Sequence, residues 1–209
     1  FGVKSTRAEV LFVDYIIEHL KPKGRAGIIV PEGIIFQTGT AYKTLRKKLI
    51  EDCLVGVISL PAGVFQPYSG VKTSILILDK ELNQREKNIY FAEIKNDGFS
   101  LGTQRTPIKK NDLPSIILAF KDIDDNQNEF PKNNCISKSE ILKNPIYSLS
   151  SGIYRANDET SSNHTMVNLG ELVDLQNGFA FSSKDYIQNS DVMNFRMSQI
   201  RPGGSINLS

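Results

Sequence analysis

Over the first 95 residues the apolar positions alternate between two rhythms. Val10, Val13, Ile17 and Leu20 recur at helical spacing, and Lys21-Pro22-Lys23-Gly24 ends the run. Thr6 and Glu9 stand at the spacing of a capping box, in which each side chain satisfies the other residue's free backbone N–H. A helix is therefore predicted over residues 8–20. Ala26-Gly27-Ile28-Ile29-Val30 is instead a short unbroken apolar run before Pro31, and such runs suit strands covered on both faces. The rhythm then repeats. Residues 41–52 predict a second helix, with Leu45, Leu49 and Ile50 apolar and Lys43, Arg46, Lys47 and Lys48 on its polar side. Strands are predicted at 54–60, 73–78 and 89–94. Helices alternating with apolar strands give an α/β sheet sandwiched by helices. The close spacing of the last two strands predicts an antiparallel hairpin at its edge.

Beyond Lys95 the pattern loosens. Residues 96–110 are polar and turn-rich, 113–121 suit a short helix, and 122–134 are acidic and amide-rich with little to bury, which predicts a surface segment or a linker. A helical turn is predicted at 138–142. Asn157-Asp158-Glu159-Thr160-Ser161-Ser162-Asn163 reads as a linker, and from Val167 short apolar stretches with turn residues predict a new unit containing strands.

Composition changes this picture little. With 209 residues the chain has room for one domain and part of another. A net charge of +2 neither announces nor excludes a nucleic-acid partner. Cys53 and Cys135 match no zinc or redox spacing, and Cys53 reads as a packing residue. No apolar run reaches the ~18 residues of a membrane span, and no signal peptide is seen, so a cytoplasmic location is expected. Phe1 without a preceding Met, and Ser209 inside a strand-like stretch, read as cuts through a longer chain.

Candidate chemistry gathers after the predicted strand at 54–60. Leu60-Pro61-Ala62-Gly63-Val64-Phe65-Gln66-Pro67-Tyr68-Ser69-Gly70-Val71-Lys72 carries two aromatics and a lysine on a loop leaving a strand's carboxyl end, where α/β folds bind ligands. Phe65 and Tyr68 suit stacking on a flipped base; equally, Phe65 suits packing on the sheet edge and Tyr68 a turn. Gly70-Val71-Lys72-Thr73 lacks the spacing of a phosphate-binding P-loop.

Several separated blocks together resemble one family. The stretch 8–80, Asp97-Gly98-Phe99-Ser100-Leu101 with Arg105, Asn111-Asp112-Leu113-Pro114, Tyr147-Ser148-Leu149-Ser150 and Tyr154-Arg155 are similar to the modification subunits of type I restriction–modification systems, over residues 1–156. The resemblance implies transfer of a methyl group from S-adenosylmethionine to adenine N6 in double-stranded DNA. The fold it implies is the C-terminal half of a Rossmann-like methyltransferase sheet over 1–95, with a family tail over 96–156. Phe1 would be the aromatic of the family's Asn-Pro-Pro-Phe loop and stack on the base, or else simply the residue at which the chain starts. Phe65 and Tyr68 would shape the base pocket, and Lys72 would contact the DNA backbone. The sequence holds no Gly-x-Gly turn and no Pro-Pro pair, so the isolated chain is expected neither to bind the cofactor nor to turn over. Asn144-Pro145-Ile146-Tyr147 imitates the catalytic loop but lacks its second proline.

After a linker at 157–166, Leu169-Gly170-Glu171 and Gly178-Phe179-Ala180-Phe181-Ser182-Ser183-Lys184-Asp185-Tyr186 resemble the opening of a type I specificity-subunit recognition domain. The resemblance implies a partial α+β target-recognition domain over 167–209. There Lys184, Arg196 and Arg201 would meet phosphates, which position a protein without specifying sequence, while Phe179, Phe181 and Tyr186 anchor the unit's core. Restriction/translocase and specificity subunits are the implied protein partners. The competing expectation is a DNA-binding or assembly fragment without catalysis.

Overall fold

The structure, a computed structural model, describes residues 2–126, 130–155, 167–174 and Ser182. The chain divides into two compact units, Phe1–Ser161 and Ser162–Ser209. In the first, helix α1 (Ala8–His19) is followed by strand β1 (Arg25–Pro31), helices α2 (Glu32–Phe36) and α3 (Thr40–Asp52), and strands β2 (Leu54–Ser59) and β3 (Thr73–Asp79). Helix α4 (Lys80–Arg85) leads to β4 (Asn88–Glu93), and a ribbon of β5 (Asp97–Phe99) and β6 (Pro107–Asn111) comes next. Helix α5 (Leu113–Asn126), a 3-10 turn at Lys132–Asn134, β7 (Cys135–Ser137), α6 (Lys138–Lys143) and α7 (Gly152–Arg155) complete it. In the second unit the described residues include one short helix, α8 (Leu169–Leu172). The linker stretch, Phe179, Phe181 and Tyr186 lie outside the described residues.

The main sheet is mixed, in the order β1-β3-β2-β4-β7. Strand β3 runs antiparallel to both β1 and β2, β4 is parallel to β2, and β7 is antiparallel to β4. The expected edge hairpin of the last two strands is therefore not formed. Asp79 starts a helix directly, its Oδ1 accepting the Leu82 N–H at 2.8 Å, and α4 carries the chain past β2 so that β4 lands on that strand's far side.

Each face of the sheet has its own core. Val10, Val13 and Ile17 of α1 and Leu45, Leu49 and Ile50 of α3 pack with Leu76, Leu78 and Ile89 on one side. On the other, α5 brings Ile116 and Ile123 onto Val55, Ile58 and Tyr90. Gly56 lets Phe120 approach closely there: a Cβ would stand 2.7 Å from the ring tip, which would have to shift. Strand β2 is buried on both sides, as its unbroken apolar run demands. The segment expected to be a polar surface is partly core: Ile123 and Phe130 are buried, and Phe130 closes an aromatic cluster with Tyr90 and Phe120 at centroid distances of 5.1 Å. A few apolar residues spaced for one face suffice to dock a mostly polar stretch.

Two further expectations are corrected at α1 and α3. The helix starts without a side-chain cap, its N-cap being Arg7. Glu9, expected to reach back to the cap, instead accepts from the Tyr42 hydroxyl at 2.8 Å. Arg46, on the predicted polar side of α3, is fully buried. Its guanidinium donates to the carbonyls of Ile34 (2.9 Å), Gln37 (2.6 Å), Ile146 (2.7 Å) and Tyr147 (3.1 Å). Burial pulls its pKa down to about 10, and the ring of carbonyl acceptors keeps it charged at neutral pH. Cys53 is buried as expected, and burial pushes its thiol up to about 12, which leaves it no nucleophile.

Candidate functional site

Because β3 opposes its neighbours, its first residues lie on the same rim as the last residues of β1, β2 and β4. The register pairs Pro31 with Thr73, Ser59 with Ser74, and Ser59 with Glu93. This rim, the carboxyl end of the parallel set, is where open α/β sheets bind ligands. A cavity of about 310 Å³ opens there. Its polar lining includes Glu32, Ser59, Lys72, Ser74, Glu93 and Arg155, over apolar walls that include Ile35, Val57 and Leu149.

Local structure explains each position. Glu32 begins α2 immediately after β1, and its N–H donates to the Lys72 carbonyl at 3.2 Å, extending the β1–β3 pairing by one bond. Its Oε1 accepts from the buried Ser74 Oγ at 3.2 Å and lies 3.9 Å from the Lys72 Nζ. That ion pair is long and half-exposed, so it holds Lys72 loosely and leaves the ammonium open to another anion. The opposite wall is the tail. The Leu149 N–H donates to the Ile35 carbonyl at 2.9 Å, and Arg46 fixes residues 146–147 from beneath. Arg155 Nη2 donates to the Phe91 carbonyl at 3.4 Å. The Tyr154 hydroxyl, pushed up to about 12 by burial, donates to the Ser148 carbonyl at 2.7 Å. The cavity thus offers two cations, two carboxylates and several hydroxyls, a set suited to gripping and orienting a polar ligand.

Of the residues singled out from the sequence, Lys72 lines this cavity; Phe65 and Tyr68 do not. Phe65 is partly buried against the α5-side core. Tyr68 stands 95% exposed on the same loop. The loop is braced from outside by Arg105, whose Nη1 donates to the Val64 carbonyl at 3.0 Å. Phe1, Lys184, Arg196 and Arg201 lie outside the described residues. Asn144 spends its side chain locally, its Oδ1 accepting the Ile146 N–H at 3.0 Å, as a turn residue does. Glu32, Ser74, Glu93 and Arg155 were not foreseen as site residues. For Glu32 there was a signal, its place directly after a strand-ending proline; Arg155 is brought in only by the fold of the tail. Among the described residues no group of three or more His, Cys, Asp or Glu could hold a metal ion.

Residues 2–163 match the family described as N-6 DNA Methylase. The type I restriction enzyme EcoEI methylase subunit of Escherichia coli is 44% identical over 84 residues, 40% of this chain and 16% of that protein. The StySJI methylase subunit of Salmonella typhimurium is 30% identical over 117 residues, 52% of this chain and 22% of that one. Among solved structures, the type I methyltransferase subunit from Streptococcus thermophilus superposes with a TM-score of 0.54 at 29% identity, over 69% of this chain and 29% of that chain. A structure from work on type I R-M complex assembly gives 0.59 at 24% identity, over 82% of this chain and 36% of that one, and shows the fold alone. This chain therefore spans less than a quarter of the length of these curated relatives. By the family match along most of its residues, the chain belongs to the N-6 DNA methylase family.

Proposed function

We propose that this chain is the carboxyl-terminal part of the catalytic domain of an adenine-N6 DNA methyltransferase of a type I restriction–modification system. The observation that carries this reading is the family match over residues 2–163. On this reading 1–95 complete the methyltransferase sheet, 96–156 form the tail that walls the rim cavity, 157–166 link, and 167–209 open a target-recognition domain. The whole protein takes a methyl group from S-adenosylmethionine and works on double-stranded DNA beside restriction/translocase and specificity subunits.

The described residues do not fit the cofactor. No Gly-x-Gly turn follows β1, β2 or β4; Gly27 and Gly56 are mid-strand, and the latter faces Phe120. This chain by itself is therefore expected to show no saturable heat of binding with S-adenosylmethionine in calorimetry. The chain's own contribution is on the DNA side: Tyr68 and Phe65 shape the approach of the base, and Lys72 meets the backbone at the cavity mouth. Location follows the same reading, in the cytoplasm; among the described residues no helix is long and apolar enough to cross a membrane.

The test is tritium transfer from labelled S-adenosylmethionine to duplex DNA by the enzyme carrying this chain, with the labelled base identified after digestion. Label on adenine N6 supports the reading, and label on another base or on protein defeats it. Within that assay Tyr68→Ala should lower the rate at least about tenfold while shifting stability by less than about 0.5 kcal/mol, as expected for an exposed side chain. Phe65→Ala should cost about 2 kcal/mol of stability through its packing. An unchanged rate for Tyr68→Ala would remove that residue from the base pocket.

A further inference from the structure

The Asp97-Gly98-Phe99 motif and the strand that follows it build a feature that neither core uses. All five residues of β6 are exposed, Ile108, Lys109 and Lys110 among them. A two-stranded ribbon of this size is marginal in water by itself, yet this one is fastened at every end. Asp112 Oδ2 accepts the N–H groups of Lys95 and Asn96 at 2.9 and 2.7 Å. Across the turn the Ser100 N–H donates to the Thr106 carbonyl at 2.8 Å, and the Thr106 N–H donates to Ser100 Oγ at 3.0 Å. Gly98 sits at φ +88°, a conformation that glycine alone adopts without strain. Arg105 binds Asp97, lies 5.4 Å from the centre of the Phe99 ring and donates to the Val64 carbonyl, so the ribbon and the Tyr68 loop are one braced unit.

We propose that the β5–β6 ribbon docks on the sugar–phosphate backbone of duplex DNA, with Lys109 and Lys110 as its phosphate contacts and Arg105 as the strut fixing its distance from the Tyr68 loop. This rests on the DNA-methyltransferase reading. Among the described residues neither lysine has a carboxylate within ion-pair distance, so neither is committed to the fold. Successive side chains on a strand point to opposite faces. Lys109 and Lys110 therefore place one cation on each side of the ribbon, as suits a ribbon lying along a groove between two phosphate strands. The exposed Tyr68 is held beside the duplex by the same brace.

The test measures binding of a labelled random-sequence duplex to the full chain by fluorescence anisotropy between 50 and 200 mM salt. Lys109→Gln with Lys110→Gln should weaken binding about tenfold at the lowest salt and reduce the slope of log affinity against log salt by about 2. Arginine at both positions should retain binding. A matched control, Lys4→Gln with Lys21→Gln, two exposed lysines outside the ribbon with no ion pair among the described residues, should change little. Equal losses in the two pairs would reduce the effect to net charge and overturn the proposal. An unchanged affinity in the ribbon variant would also overturn it, leaving the DNA reading intact and the ribbon to a protein partner. No duplex binding by the parent chain would sink both the ribbon contact and DNA binding by this segment, while methyl transfer by the whole enzyme would still be decided by the tritium assay.

Discussion

Arg46 holds a fixed charge where a core would ordinarily place a leucine, and the reason is the number of carbonyls it serves. Removing the guanidinium leaves the carbonyls of Ile34, Gln37, Ile146 and Tyr147 without their shared donor, the first of them buried and the other bonds part-buried. Arg46→Met should therefore cost about 3 kcal/mol in urea denaturation. Arg46→Lys should recover only part of this, because an ammonium cannot fork to separate acceptors. If Met is tolerated within about 0.5 kcal/mol, the guanidinium is not what fixes the tail. This residue was illegible in the sequence for a physical reason. Helical spacing identifies an apolar stripe, but it does not reveal that a later segment will cover the opposite one. Lys72 was legible, because a strand's start and the loop before it define its place on the rim.

At the scale of elements, the contact of α1 with α3 is keyed by charge as well as by apolar packing. Asp14 is buried on α1; its Oδ1 accepts from Lys48 of α3 at 2.8 Å and its Oδ2 from the Val3 N–H at 3.1 Å. Burial raises the Asp14 carboxyl, but the bonds from Lys48 and Val3 outweigh it and leave its pKa below the ordinary value. Burial likewise opposes the Lys48 charge, and the bonds to Asp14 and Glu18 raise its pKa on balance. A lowered carboxyl pKa gives stability that is present above about pH 4 and is lost as the acid falls through the folded value. A raised lysine pKa gives stability that is present below about pH 10 and is lost as pH rises through its folded value. Asp14→Asn should lower stability at pH 7 and flatten its fall below about pH 4 in urea melts. A parallel downward shift at every pH would remove Asp14 from the acid transition. The strands themselves were readable from their apolar runs, but their order was not. Period and composition tell which faces are covered, and they are silent about which neighbour supplies the hydrogen bonds. The antiparallel insertion of β3 between β1 and β2 lies in that gap.

Across the whole first unit, β1 is an edge: on its outer side no strand pairs with it among the described residues. Ile29 on this strand is 54% exposed. An apolar edge of this kind invites another strand, so the chain should sediment as mixed species, and Ile29→Lys should shift it toward monomer with little loss of stability. An unchanged distribution would show that association, if any, uses another surface. The direction of β3 has a different consequence for the rim cavity. The loop from Leu60 to Lys72 leaves β2 and re-enters the sheet on the same side of the molecule, with the Leu60 N–H bonded to the Thr73 carbonyl at its neck. Between the Val64 carbonyl that Arg105 holds and Lys72 on the rim, such a closed purse of chain can be lengthened, shortened or exchanged without altering any strand's neighbour. Selection can thus retailor what this loop presents beside Lys72 while the sheet beneath it stays as it is.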